Sequence, residues 1–302
     1  VGGNLSITAT TGNITQGVAL TVTGTSSFTT SASNATITLD QANAFNGAVS
    51  LNTQGSSGNA TVVDASGLDF GASAVGGALS ATATTGDISD SGNLAITGAA
   101  TFITRVAGSD IILDQSGNAF SNAVTMKADT GGDEAFGNIT FVDSGAVKIE
   151  TSANTDADGE LLIDGSTDGA VGGNLSITAT TGNITQGVAV AVTGTSTFIT
   201  SADDATITLT ETSNAFTGAL LITTNDSGTD TAGDVSIDGG TTGLIMGLST
   251  IDGDLALRSG AAITDTGVAT VGGTLSATTD ASSSAITLDQ LAVDGAFTLA
   301  PN

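Results

Sequence analysis

Apolar and small polar residues alternate along short segments of this chain. The segment LSITA, residues 5–9, places Leu, Ile and Ala at every second position, and the same period returns at Ile14 and across residues 18–22. A period of two indicates a β-strand with one buried face and one wet face. Gly-Asn, Gly-Asp and Thr-Gly turns separate the segments and leave no room for helices of about a dozen residues. The sequence therefore predicts an all-β chain of short strands.

These segments recur in steps that match the coils of a solenoid. Measured between the first large apolar residues after successive turns, most steps are 20 to 23 residues long and a few are 28 to 35. Those residues are Leu5, Phe28, Val49, Leu79, Phe102, Val124, Val147, Leu175, Phe198, Leu220, Leu255, Leu275 and Phe297.

Three strands per step predict a triangular, right-handed parallel β-solenoid of about twelve coils. Its inward residues should stack in ladders of like on like. The longer steps should place their extra residues in corner loops. They run from Val49 to Leu79, from Val147 to Leu175 and from Leu220 to Leu255.

A longer repeat lies above the coil. Residues 1–17 and 171–187 are identical and read VGGNLSITATTGNITQG, and related copies start at Val75 and Val271. A second motif, of the form ITLDQANAFNGAVSL, begins at Ile37, Ile111 and Ile207. We therefore predict one continuous solenoid over residues 1–302. Its repeat units are 1–74, 75–170, 171–270 and a partial 271–302.

Composition narrows the choice of partners. Four Lys and Arg residues stand against 30 Asp and Glu, for a formal net charge of −26. A nucleic-acid backbone or an anionic membrane requires a basic surface, so we predict no nucleic-acid partner. No transmembrane run is present, so we predict no membrane insertion by this segment. The hydrophobic fraction of 39% can fill a core and excludes a disordered acidic tail.

The repeats resemble those of a known class of exported proteins. The VGGNLSITATTGNITQ motif, the NAFNGAVSL type of segment and the Thr-, Ser-, Asn- and Gly-rich coils are similar to the repeat regions of filamentous-haemagglutinin-like exoproteins, which are two-partner-secretion and autotransporter adhesins. The resemblance covers essentially the whole chain. It implies a right-handed parallel β-helix at the bacterial cell surface, or secreted, that serves as a stalk or fibre and bears or forms an adhesive surface.

An enzymatic role is a weaker interpretation. Polysaccharide-cleaving β-helices use paired carboxylates, and Asp203 and Asp204 form an adjacent pair in a turn. Without His or Tyr, and with scattered Lys and Arg, the chain offers few general acids or bases. We therefore predict that it is not an enzyme and requires no cofactor.

Calcium is the one ligand for which the sequence offers a candidate loop. Asn154, Asp156 and Asp158 alternate before Gly159, as oxygen ligands do in calcium loops. The twelfth position is Gly165 instead of Glu, so this is no EF-hand. A second Asp-rich stretch, residues 225–238, is a weaker candidate, and turn formation is the favoured explanation for any single Asp.

Outward threonines suggest a further surface. The pairs Thr8/Thr10, Thr21/Thr23 and Thr36/Thr38 resemble the arrays of ice-binding solenoids. Outward Thr is also what any wet β-face prefers, and the coils vary in length. Ice binding is therefore a weaker interpretation than an ordinary solvent-exposed β-face.

The hypothesis that unites these observations is a structural shaft of a surface adhesin. It would meet an unknown surface glycan or protein receptor and could associate with copies of itself, end to end or laterally. A self-assembling filament or surface layer is the alternative, and a polysaccharide-active enzyme comes third.

Overall fold

The computed structural model describes residues 1–128, 137–149, 160–163, 170–225 and 232–302. These residues form strands, turns and bends and contain no helix, so the all-β prediction is confirmed. Among them, no helix is long and apolar enough to cross a membrane. They fall into two compact units. The first unit holds residues 1–144 and the strand at 160–163, and the second holds residues 145–149 and 170–302.

The first unit consists of eighteen strands among its described residues. They are β1 (Leu5–Ala9), β2 (Ile14–Thr15), β3 (Thr21–Val22), β4 (Ser26–Ser33), β5 (Ile37–Phe45), β6 (Val49–Gln54), β7 (Ala60–Asp64), β8 (Leu68–Phe70), β9 (Ser73–Val75), β10 (Leu79–Ala83), β11 (Ile88–Asp90), β12 (Leu94–Ile96), β13 (Ala100–Thr104), β14 (Ile111–Leu113), β15 (Ala119–Phe120), β16 (Val124–Lys127), β17 (Ile139–Asp143) and β19 (Glu160–Ile163).

The second unit consists of nineteen strands among its described residues. They are β18 (Val147–Ile149), β20 (Ala170–Val171), β21 (Leu175–Ala179), β22 (Ile184–Gln186), β23 (Ala191–Val192), β24 (Ser196–Thr200), β25 (Ile207–Leu209), β26 (Ala215–Phe216), β27 (Leu220–Thr223), β28 (Val235–Asp238), β29 (Leu244–Met246), β30 (Ser249–Ile251), β31 (Leu255–Ser259), β32 (Ile263–Asp265), β33 (Ala269–Val271), β34 (Leu275–Thr279), β35 (Ile286–Thr287), β36 (Leu291–Val293) and β37 (Phe297–Ala300).

Three consecutive strands make one coil. In the second unit β21 pairs with β24, β22 with β25 and β23 with β26, each strand meeting the third one after it. The first unit follows the same rule, with β5 filling two places because it pairs with both β2 and β3. The pairings described within each unit are parallel, as in a β-solenoid of about twelve coils in all. The parallel solenoid is confirmed, while its right-handed winding and its continuity over residues 1–302 stay predictions.

The core of each unit is a set of inward ladders, and in some of them large and small residues alternate. In the first unit, Leu79 lies between Ala60 and Ala100, and one position further along the inward row Ala81 lies between Val62 and Phe102. A small residue on one coil makes room for a large one on the next, which keeps the interior filled. The expectation of like on like is confirmed for other ladders. Leu68, Ile88, Ile111 and Ile139 stack in the first unit, and Ile184, Ile207, Val235 and Leu255 stack in the second.

Phenylalanine rings extend the packing in the first unit. The ring of Phe102 meets those of Phe70 and Phe120 edge to face, with centroids 6.0 and 6.2 Å apart. This geometry places the positive edge of one ring on the negative face of another. Phe28 and Phe45 repeat the arrangement at 5.9 Å.

The prediction of a long corner loop was wrong for the step from Val49 to Leu79, whereas the step from Leu220 to Leu255 contains residues 226–231, which lie outside the described residues. Residues between Val49 and Leu79 form β7, β8 and β9, and residues between Leu220 and Leu255 include β28, β29 and β30. The two residues that bound each of these steps lie in different sheets, so they are not equivalent positions on successive coils. The third step, from Val147 to Leu175, falls largely outside the described residues.

The long repeat and the coil are out of phase by one strand. In the first unit the VGG motif leads into β1, which stacks with β4, and again into β10, which stacks with β7 and β13 on another face. In the second unit the motif leads into β21, which stacks with β24, and into β34, which stacks with β31 on another face. The first copy, from β1 to β10, and the third, from β21 to β34, are therefore each one strand longer than a whole number of coils, so the motif that follows each of them lies on the next face of the same unit. We call this offset the face shift.

Stacked glycines form several corners. The amide of Gly98 donates to the carbonyl of Gly77 at 3.0 Å, and that of Gly77 donates to Gly58 at 3.1 Å. A Cβ at Gly98 would lie 2.5 Å from the carbonyl carbon of Gly77, closer than any real contact. Glycine is required there because two backbones meet directly.

Candidate functional site

Asn and Asp residues at the corners act as hydrogen-bond acceptors between coils. Oδ1 of Asn13 accepts the backbone N–H of Thr36 at 2.9 Å, and Oδ1 of Asp254 accepts that of Thr274 at 2.6 Å. The same bond is made by Asn4, Asn59, Asp87, Asp110, Asn174, Asn183 and Asp234. Since only an acceptor is needed, a carboxylate and an amide serve equally. Part of the acidity of the chain therefore has a structural use.

The NAF motif supplies a buried polar cluster in each repeat. Oδ1 of Asn43 accepts hydrogen bonds from Leu20 N–H at 2.8 Å and Gln16 Nε2 at 2.7 Å. Its Nδ2 donates to the carbonyls of Leu39 and Val63 and to Oε1 of Gln16. Asn43 is fully buried and this network satisfies its amide, so the residue locks one coil to its neighbours.

The two other copies of the motif repeat this arrangement. Asn214 exchanges hydrogen bonds with Gln186 and accepts Val190 N–H. In the middle copy Asn118 accepts Leu94 N–H, and its partner is Asp90, a carboxylate in the place of the glutamine. Burial raises the pKa of Asp90 above its ordinary value, although the hydrogen bond from Asn118 opposes the shift.

Arg258 lines a polar groove of the second unit. Its Nε donates to both carboxylate oxygens of Asp280, at 3.0 and 3.1 Å, and lies 3.9 Å from Oδ2 of the buried Asp238. The carboxylate of Asp280 raises the pKa of Arg258. Thr212 and Thr241 also line the groove, which has a volume of about 340 Å³. The guanidinium is thus held by carboxylates along the stack.

The predicted carboxylate pair lies at the surface. Asp203 and Asp204 are exposed in a turn, and Asp204 adopts a left-handed backbone with φ of 62°. Asp203 accepts a hydrogen bond from Nδ2 of Asn225 at 3.4 Å.

The candidate calcium loop with Asn154, Asp156 and Asp158 lies outside the described residues, as do Asp226 and Asp230 of the weaker stretch. Asp234 of that stretch is a corner acceptor for Asp254 N–H. Within the described ranges, no group of three or more acidic residues is placed to hold a metal ion.

The outward hydroxyls form one regular row in the first unit. Successive coils stack Thr15, Thr38, Thr61, Ser80, Thr101 and Thr125. Variation in coil length does not interrupt this row, because the extra residues lie between strands. The next outward row is mixed and includes Val63, Thr82, Ile103 and Lys127. A double threonine array does not form on this face.

Comparison with known proteins identifies the repeat. A family model described as repeats of unknown function (DUF5649) matches residues 1–52, 57–127, 129–223 and 232–300. The chain belongs to this repeat family. No curated protein and no solved structure matches it.

The four DUF5649 matches reveal a copy of the second motif that the sequence comparison missed. The first three end seven residues after Phe45, Phe120 and Phe216, and the fourth ends seven residues after Val293. Val293 lies in β36, just before β37, and follows a segment that reads ITLDQLA. The motif is thus present from Ile286 with Val in the place of Phe and without the buried Asn.

Sequence reasoning also missed the polar clusters around Asn43, Asn118 and Asn214. An Asn among Ala, Gly and Ser has the sequence context of a turn residue, so the local sequence does not indicate that these Asn residues are buried. The available signal was their constant place two residues before Phe45, Phe120 and Phe216. A polar residue fixed beside a core residue indicates a buried hydrogen-bond network.

Proposed function

We propose that this DUF5649 chain is a structural segment of a large exported bacterial surface protein, where it forms part of a shaft that supports or provides adhesion. The observation that carries the proposal is the three-strand coil repeated within each unit, with each coil joined to the next by parallel backbone hydrogen bonds and apolar ladders. Such a fold extends by adding coils, and it resists pulling along the stack through many parallel bonds.

The polar chemistry supports a structural role. Corner carboxylates accept backbone N–H groups, the buried Asn residues bond to the neighbouring coil, and Arg258 is held by Asp280. A formal charge of −26 would keep neighbouring copies apart at low salt. Divalent cations would reduce that repulsion.

Surface labelling tests this proposal. Antibodies raised against the purified chain should label intact cells of the source organism, and the purified chain should compete with those cells for attachment to their host surface. Labelling only after lysis, with no competition, would overturn the proposal. Electron microscopy of the purified chain distinguishes the alternative, since long polymers would favour a self-assembling filament and single short particles a shaft segment.

A further inference from the structure

The five asparagines among the corner acceptors stand in a sequence context that none of the buried ones shares. Each is followed by an apolar residue and then by Ser or Thr. The five pairs are Asn4 with Ser6, Asn13 with Thr15, Asn59 with Thr61, Asn174 with Ser176, and Asn183 with Thr185. The pattern Asn-x-Ser/Thr, where x is not Pro, is the acceptor sequence for N-linked glycosylation. The buried Asn43, Asn118 and Asn214 are each followed by Ala-Phe instead.

The corner fixes the orientation of each of the five amides. Oδ1 accepts the backbone N–H of the next coil, at 3.0 Å for Asn4, 2.9 Å for Asn13, 2.8 Å for Asn59, 2.8 Å for Asn174 and 2.9 Å for Asn183. With Oδ1 turned to the backbone, Nδ2 is directed away from that bond. The Nδ2 atoms of Asn4, Asn13, Asn59 and Asn183 have no hydrogen-bond partner among the described residues, and all five side chains are exposed. The nitrogen that would carry a sugar is therefore the accessible one.

The neighbours along the stack leave room for a sugar. The residue above Asn13 at the same corner is Thr36, and the residue above Asn59 is Ala78. Asn13 and Asn59 are thus two coils apart, a spacing of roughly 10 Å at about 4.8 Å per strand. The Ser or Thr two residues after each Asn is the first outward-facing residue of the strand that follows. Its hydroxyl therefore lies on the outer surface, near the Asn amide.

We propose that Asn4, Asn13, Asn59 and Asn183 are N-glycosylation sites. The donor is an activated sugar whose anomeric carbon is bonded to the phosphate oxygen of a diphosphate carrier, and a separate transferase catalyses the reaction. The bond from the anomeric carbon to that oxygen breaks, a bond from the anomeric carbon to Nδ2 forms, Nδ2 loses one proton, and the diphosphate carrier leaves with the electron pair. Oδ1 keeps its hydrogen bond, so modification leaves the corner intact. This proposal does not depend on the shaft function.

The chain itself suggests matched variants. Asp254 makes the corner bond as a carboxylate, so Asn13→Asp should preserve the fold while removing the nitrogen that accepts the sugar. Thr15→Ala keeps Asn13 and its bond to Thr36 but removes the hydroxyl of the acceptor sequence. Both variants should match the wild type in Tm when prepared without a transferase.

Mass spectrometry of the protein purified from its source organism tests the proposal, with cleavage at Asp and the unmodified recombinant chain as the mass reference. Peptides that contain the four residues should carry added sugar mass. Asn4, Asn13 and Asn34-Ala35-Thr36, which is also an acceptor sequence, lie before the first Asp and share one peptide, so fragmentation must assign the sugar to a single Asn. Occupancy at Asn13 should fall to background in the Thr15→Ala variant and no sugar should be found at position 13 in the Asn13→Asp variant, while occupancy at Asn59 stays unchanged. Native protein with all four residues unmodified would overturn the proposal, as would equal occupancy at Asn13 in the Thr15→Ala variant.

Discussion

Nδ2 of Asn118 donates a hydrogen bond of 2.6 Å to Oδ2 of Asp90, and both side chains are buried. The equivalent pairs in the other copies join an amide to an amide, Gln16 to Asn43 and Gln186 to Asn214. One copy of the repeat thus places a carboxylate where two others place a neutral group.

The presence of Asp90 in place of a glutamine makes the stability of the first unit depend on pH. Because burial raises the pKa of Asp90 above its ordinary value of 3.8, the folded chain binds a proton more readily than the unfolded chain does. The free energy of unfolding should therefore decrease as pH rises from about 3.8 through the raised pKa, and Asp90 should oppose folding at neutral pH. Asp90→Gln should remove this contribution and raise Tm at pH 7.

Thermal melting from pH 3 to pH 7 checks this prediction. The control is Asp40→Gln, which removes the same charge at an exposed position of the first unit. The difference in Tm between Asp90→Gln and wild type should increase with pH. An equal increase in Tm from Asp40→Gln would show that the effect comes from net charge and would contradict the prediction.

Loss of a buried Asn should be costly. Asn43→Ala removes the acceptor of Leu20 N–H and the amide that donates to the carbonyls of Leu39 and Val63. Each buried polar group left unsatisfied costs about 1–3 kcal/mol, so we expect a loss of about 3 kcal/mol or more. Urea unfolding measures it. Asn46→Ala, at an exposed position three residues away, should change stability by less than about 0.5 kcal/mol.

The aromatic ladder should show the cost of a cavity. Phe102→Ala removes a fully buried ring that packs on Phe70 and Phe120, and such changes cost about 3–5 kcal/mol. Ile103→Ala, at the next position on the outward side of the same strand, should cost much less. Comparable losses for the two variants would contradict the assignment of inward and outward rows.

The glycine corner gives a steric prediction. Gly98→Ala would force its Cβ against the backbone of Gly77 and Ala78, so we expect a marked decrease in Tm. At Gly17 a Cβ would meet nothing within 4 Å, so Gly17→Ala should be tolerated. Differential scanning calorimetry of both variants makes the comparison, and similar melting of the two would argue against direct contact of backbones at this corner.

The sequence predicted the strands and their inward faces but not the register between coils. Alternation in a segment such as 79–83 shows which side chains point inward. It does not show that Leu79 stacks on Ala60 and Ala100, because that depends on how many strands separate two segments. The sequence-based ladder that stacked Leu79 on Val49 was therefore wrong, because the two residues lie on different faces.

The candidate sites were less predictable for a related reason. An acidic residue at a turn has the same sequence signature whether it binds a cation or accepts a backbone N–H, as Asp234 and Asp254 do. The role of Asn43 depends on contacts with Gln16, 27 residues away. Local sequence does not encode such distances.

The face shift governs how a surface built from repeats meets its surroundings. Within each unit, a binder that approaches one face would find the motif on only one of the two copies. Removal of the first copy, or of the third, would therefore move every later motif of the same unit to a different face. Copy number would then set the direction in which a motif is displayed, independently of the motif itself.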